Sequence, residues 1–441
     1  MARRAPALFA AALAALLSSC AIGTPGPATD VTNVGATLHG NVYSSLEGET
    51  TWWFDYGDTP DYGSATADAT VAIADDDPHP VSAPVYGLLP DTTYHFRMCV
   101  KDAEEEPPRT ICSKDNTFRT LAESPFVTAD GTELRLDGRP YRFTGMNVYN
   151  ANSRGECWYP LASGSGLDEA LAAMGAGVDA IRAWFFESLA TTGGRRDWSG
   201  FDHTLAVARA HGVKVIPTLT NQWADCDPAG YKTGAWYEGG YNDSYRDWVT
   251  EVVSRYRNDP TILAWQLVNE AEVKPSADAT SCSPGAADIL TDFAADIGGW
   301  VRALDPEHLV SLGTIGGGQC GAANDEYAQV HAVDAIGLCE YHDYNAPNVP
   351  MPGDQWNGLQ VRLDQCGELD KPLIVGETGI RPSDVGGTLE DRADAFRAKF
   401  DAQFEAGVAG ELVWAWSSLG STLGDFDVGP DDPLLDALAE F

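Results

Sequence analysis

Trp265-Gln266-Leu267-Val268-Asn269-Glu270 and Leu373-Ile374-Val375-Gly376-Glu377 are two apolar, strand-like runs that each end abruptly in a carboxylate. An ionised Glu within a strand covered on both faces is costly, because burying an unpaired charge is unfavourable. At the last residue of such a strand the side chain emerges instead at a rim where loops gather. Two such ends suggest an acid and a nucleophile facing each other across one cleft. The plainer alternative is a pair of strand-end carboxylates that cap neighbouring amides.

Working outward, strand-like runs recur at 142–149, 180–186, 213–219, 262–268, 308–313, 335–341, 373–376 and 412–416. Helical periodicity fills most of the gaps, at 167–175, 201–211, 244–256, 287–304, 355–366 and 389–406. Strands alternating with helices predict an α/β fold, a (β/α)8 TIM barrel over residues 125–441. The rival is a doubly wound open sheet, but no glycine-rich dinucleotide loop follows the first strand. Upstream, residues 30–121 read as short alternating strands separated by turns, which predicts an N-terminal all-β sandwich. Trp52 and Trp53 lie there on one strand; adjacent strand residues face opposite ways, so at least one is expected in the core.

Catalytic groups of a (β/α)8 barrel come from the C-terminal ends of its strands. Those ends deliver Asn147 and Tyr149, Arg182 and Trp184, Asn221 and Trp223, Asn269 and Glu270, Tyr341, His342 and Tyr344, Glu377, and Trp414 and Trp416. Two carboxylates, one Arg, one His, several amides and many aromatics suit cleavage of a neutral sugar polymer. Aromatic faces stack on pyranose rings and amides bond hydroxyls. Arg182 is expected to keep Glu377 ionised and nucleophilic. One of Trp414 and Trp416 can be core, and Asp225, Glu187, Glu272 and Glu340 are read as loop acids.

At 441 residues, with 44% hydrophobic content and 13 Trp, the chain has ample material for a packed core and an accessory module. A formal net charge of -37 argues against nucleic acid, whose phosphates need Lys and Arg, and against anionic substrates. Residues 1–20 read as a targeting segment: Arg3 and Arg4 precede an apolar run at 7–17 too short to span a bilayer. Leu17-Ser18-Ser19-Cys20 resembles the bacterial lipobox, which implies lipidation at Cys20, an exported surface lipoprotein and a linker at 21–29. The remaining eight cysteines form an even set that reads as disulfides. Cys99–Cys112 is the obvious pair, and Cys226 with Cys282 is favoured among the rest. No CxxC or HExxH motif occurs, so no metal or other cofactor is expected.

Two resemblances add to this. Gly87-Leu88-Leu89-Pro90-Asp91-Thr92-Thr93-Tyr94-His95-Phe96-Arg97, followed by Asn116-Thr117-Phe118-Arg119-Thr120, resembles a fibronectin type III domain, which implies a tyrosine corner at Tyr94. The stretch 126–441 is similar to glycoside hydrolase family 5, the cellulase and mannanase family of retaining enzymes, through Arg182, Asn269-Glu270, His342-x-Tyr344, Glu377 and Trp414. That likeness implies Glu270 as acid/base, protonated through nearby negative charge and partial burial, Glu377 as nucleophile and Asn269 on the 2-hydroxyl. It implies His342 and Tyr344 around the nucleophile and a strand-8 Trp under the sugar. Thr220-Asn221-Gln222-Trp223 resembles the family's mannanases more than its cellulases, which implies β-1,4-mannan as substrate. A β-1,4-glucanase, an exo-acting β-glycosidase and a transglycosylase remain alternatives. From another class, so does a non-catalytic surface carbohydrate-binding protein. The expected partner is thus a neutral β-linked polysaccharide, met by a monomer that touches the membrane only through Cys20.

Overall fold

The computed structural model describes residues 21–29, 31, 35–44, 48–75, 77–102, 109–121, 124–152, 165–344 and 347–441. The targeting segment and Cys20 lie outside the described residues. The chain divides into two compact units, Met1–Glu123 and Ser124–Phe441.

In the first unit, one antiparallel sheet pairs Ile22–Pro25, Gly35–Tyr43 and His79–Tyr86. A second is built on Gly48–Gly57 and Thr93–Asp102. Alternating inward residues from both sheets, among them Leu38, Val42, Phe54, Val85, Phe96 and Met98, share one apolar core. Trp52 is buried there, whereas half-buried Trp53 donates to Asp55 at 2.9 Å. The expected linker at 21–29 instead contributes an edge strand, because its backbone completes the ladder against Gly40–Tyr43. Tyr94 pairs with Phe118 in the second sheet, and its hydroxyl accepts the Leu89 amide at 2.9 Å. Cys99 and Cys112 sit opposite each other on paired strands and are disulfide-bonded, as expected.

The second unit is a barrel of eight parallel strands: β1 Phe143–Asn147, β2 Ala180–Trp184, β3 Lys214–Thr218, β4 Ala264–Gln266, β5 Leu309–Ser311, β6 Cys339–Asp343, β7 Leu373–Thr378 and β8 Gly410–Val413. A parallel bridge between Ser311 and Leu338 joins the two ends of the sheet. The inward positions climb with period two. Phe143, Ala180, Ile216, Ala264, Leu338 and Ile374 form an apolar floor. One pleat above it stand buried polar groups, including Arg182, Thr218, Gln266 and Glu340. The expected helices form, and the longest, Leu389–Glu405, starts with a capping box between Thr388 and Asp391. The predicted helix at 287–304 runs from Ala286 to Leu304 with a π-turn at Ala294–Gly298. Among the described residues, no helix is long and apolar enough to cross a membrane.

Between described residues of the barrel the disulfides are Cys282–Cys320 and Cys339–Cys366. The expected Cys226–Cys282 pair is therefore wrong. The loop after β4 reaches across to the loop after β5, where Val273 donates to Cys320 O at 3.0 Å, and this brings Cys282 to Cys320. Cys226 is disulfide-bonded as well, but not to Cys282.

Candidate active site

The C-terminal ends of the strands open into a cleft of about 410 Å³. Its lining includes Tyr149, Trp184, Asn221, Trp223, Asn269, Glu270, Tyr344, Glu377 and Trp414. An oxygen of Glu270, a ring nitrogen of His342 and an oxygen of Glu377 all lie within 4.8 Å of one another.

Each carboxylate is held differently. Glu377 accepts from Arg182 Nη1 at 2.8 Å and from the Tyr344 hydroxyl at 2.5 Å. Glu270 accepts from the Trp223 indole at 2.5 Å and pairs with His342 Nδ1 at 2.9 Å. Its backbone occupies the left-handed region at φ 57°, a conformation a non-glycine residue adopts only when its surroundings impose it.

Behind the lining, Arg182 is fully buried and uses its whole fork. Nε donates to Gln266, Nη1 also to Asn147, and Nη2 to Asn269 at 2.5 Å. Asn269 in turn donates to Asn221 at 2.9 Å. Asn147 does not line the cleft; besides accepting from Arg182 it donates to Gly376 O at 3.0 Å and Val413 O at 3.3 Å, next to Glu377 and Trp414.

Glu340 is not the loop acid expected. It lies inward on β6, fully buried, and accepts from Gln266 at 2.5 Å and from Ser311 at 2.6 Å, with His342 Nε2 at 3.4 Å. Its carboxylate occupies the space beside Gly376, where a Cβ would come within 1.9 Å of Oε1. That close approach explains the glycine before Glu377. At this level the β6–β7 register shifts, so that His342 pairs with Glu377.

The aromatic wall is Tyr149, Trp184 and Trp414. Tyr149 stacks on Trp414 with centroids 5.2 Å apart, and Trp184 lies 6.0 Å from Trp414. Trp416 does not join them; it packs in the core between barrel and helices. Phe426, Asp225 and Cys226 complete the lining. Phe426 sits in a glycine-rich loop that carries no sequence signal of a site, whereas Gln266 could have been found two pleats below Glu270 on the same run.

The proton order differs from expectation. Burial pushes the Glu270 carboxyl up, but the hydrogen bond and charge of His342, the Trp223 indole and Arg182 hold it below its ordinary value. Burial dominates at Glu377 and raises it, against His342 and Arg182. Burial works against charge on His342, yet Glu377, Glu270 and Glu340 raise it to about 10. The free site therefore stores a proton on His342, beside Glu270, rather than on Glu270 itself.

Residues 165–346 match the family model described as GH family 5 beta-mannosidase-like. The probable mannan endo-1,4-beta-mannosidase F of Aspergillus flavus is 25% identical to this chain over 345 residues, covering 67% of this chain and 68% of that protein. Mannan endo-1,4-beta-mannosidase A of Hypocrea jecorina is 24% identical over 347 residues, covering 70% and 74%. Among solved structures, the endo-1,4-beta-mannanase of Rhizomucor miehei superposes with a TM-score of 0.57 at 21% identity, over 71% of this chain and 97% of that one. The endo-1,4-beta-D-mannanase of Thermotoga petrophila gives 0.53 at 20%, over 68% and 99%. These structural likenesses concern the fold alone.

Proposed function

We propose that this chain is a retaining glycoside hydrolase that cleaves β-1,4-mannan, with Glu377 as nucleophile and Glu270 as acid/base. The observation that carries the reading is the approach of the two carboxylates, with oxygens within 4.8 Å. Retaining enzymes hold their carboxyl groups roughly 5–5.5 Å apart, whereas inverting enzymes leave about 6.5–9.5 Å for a water. The mannan preference is supported by the similar proteins, which are named as mannan endo-1,4-beta-mannosidases.

In the first step Glu377 attacks the anomeric carbon, the glycosidic C–O bond breaks, and Glu270 gives its proton to the departing oxygen. That proton reaches Glu270 from His342 across the 2.9 Å Nδ1–Oε1 contact. A sugar entering the cleft drives the transfer by removing water and drawing the Trp223 indole from Oε2, both of which favour the neutral acid. Arg182 and Tyr344 hold Glu377 in line and oppose its protonation as water is excluded. In the second step water attacks the glycosyl ester and gives a proton to Glu270, and Glu377 leaves as the carboxylate. Trp414, Trp184 and Tyr149 supply the apolar floor for the ring, and Asn269 meets the 2-hydroxyl.

We read the first unit as a fibronectin type III-like sandwich, supported by its two sheets around one core and by the Tyr94 hydroxyl bonded five residues upstream. The disulfides suit an exported protein. Lipid attachment at Cys20 is part of the same proposal.

The test is hydrolysis of linear mannan and glucan with proton NMR of the first product, with Glu377→Ala in parallel. The expected results are mannan cleavage, a β-configured reducing end formed first, and a loss of roughly 10⁴-fold or more in the variant. An α-configured first product sinks the retaining mechanism, and cleavage of glucan alone sinks the substrate.

A further inference from the structure

Behind β6 lies a second cavity of about 400 Å³, between the loops that follow β5 and β6. Its size falls in the range of small-ligand pockets, roughly 300–1,000 Å³. Tyr341 and Asp343, which alternate with the inward Glu340 and His342, line one side, and Gln319 and Asn357 line another. Tyr344 lines both this cavity and the catalytic cleft, and His342, the partner of Glu270, is a lining residue here too.

The polar groups here are incompletely used. Gln319 is 9% exposed, and neither its amide nitrogen nor its amide oxygen has a hydrogen-bond partner. Asp343, 2% exposed, accepts from Lys399 at 2.5 Å and Gln403 at 3.1 Å through Oδ2, while Oδ1 has no partner. Buried polar atoms are nearly always satisfied, so these three unpaired atoms, on two residues that line the cavity, call for a partner.

Chemistry narrows what that occupant is. A divalent cation is disfavoured because the Lys399 ammonium already sits on the only carboxylate that is buried there. An anion would meet that carboxylate and the Gln319 oxygen. An apolar molecule would leave all three atoms unpaired. Hydroxyl groups both donate and accept, so neighbouring hydroxyls on one ring satisfy an amide and a carboxylate oxygen together. The Tyr341 and Tyr344 rings offer flat faces for the carbon skeleton.

We propose that this cavity binds a neutral hexopyranose unit, at a site separate from the scissile chain. Taken together with the mannan reading of the cleft, the unit is either a hexosyl branch beside the backbone or a free monosaccharide.

The test uses the full chain. With Glu377→Gln blocking turnover, galactose and mannose are titrated by ligand-observed NMR with and without Gln319→Leu, and Gln319→Ala serves if the leucine variant misfolds. Separately, kcat/KM is compared on galactomannan and on linear mannohexaose. The proposal expects monosaccharide binding to weaken at least fivefold in the Gln319 variants. A branch as occupant also lowers the galactomannan-to-mannohexaose ratio about fivefold with the linear rate unchanged; an unchanged ratio with weakened binding makes the occupant free sugar. Unaltered binding together with an unaltered ratio overturns the proposal. A chain inactive on mannan defeats the reading of the cleft, while the NMR titration still decides this cavity.

Discussion

Trp223 donates its indole hydrogen to the same carboxylate that must release a proton to the leaving group. By stabilising the anion, that bond lowers the proton affinity of Glu270. Trp223→Phe keeps an aromatic face and removes the donor. The free site keeps its working proton on His342, so what moves is the titration of the Glu270 carboxyl itself, expected at higher pH in the variant by carboxyl-labelled NMR; a titration that stays in place or moves down would show that the indole does not act through Glu270. At this scale the sequence was informative about the two glutamates because each closes an apolar run that has no other use for a charge. Glu340 was misjudged for a related reason. It stands one residue before Tyr341, and whether it points in or out depends on the pleat phase of β6, which a short mixed run leaves open. Nor could the sequence show that His342 would face three carboxylates, since those contacts join strands distant along the chain.

β7 shows how an element is shaped by its neighbour's charge. Gly376 cannot carry a Cβ without meeting the Glu340 carboxylate, at 1.9 Å from Oε1, and the register shift beside it turns Glu377 toward His342. Gly376→Ala is expected to destabilise the barrel by at least ~2 kcal/mol through overpacking. Pairing it with Glu340→Ala, which clears the space, should recover more stability than pairing it with Glu340→Gln, which does not. Equal recovery in denaturant melts would mean that the clash is not the cause. Strands and long helices were legible because their apolar periodicity persists over several turns or pleats. The short helices Glu326–His331 and Pro433–Leu438 were not, since one and a half turns carry little periodic signal. The strand Ile22–Pro25 was hidden by a small, polar composition that reads as a spacer, and its order comes from the ladder against Gly40–Tyr43.

Across the whole molecule the buried charges set a pH window. His342 is raised from 6.5 to about 10 in the folded chain, so its contribution to stability is complete below about pH 6.5 and is lost as pH rises toward 10. Burial likewise raises Glu411, whose Oε1 has no partner, so folding opposes its ionisation and stability falls above its ordinary 4.5. Glu270 and Glu340 are lowered; what they contribute is present above 4.5 and lost as pH falls. The melting temperature at fixed ionic strength is therefore expected to be highest between about pH 4.5 and 6.5 and to decline toward pH 10. Calorimetry showing a rise from pH 7 to 10 would contradict the charge on His342. Ionic strength must be held constant because a net charge of -37 repels itself and salt screens it. The Arg182 fork reaches β1 at Asn147, β4 at Gln266, the residue Asn269 beyond it and β7 at Glu377. One rigid planar cation thus works as a gauge block set between opposite sides of the barrel, and lysine, a single point of charge, could not serve as one. On the mechanism proposed, the handedness of the sugar released depends on the gap this block maintains, although it stands behind the cleft wall.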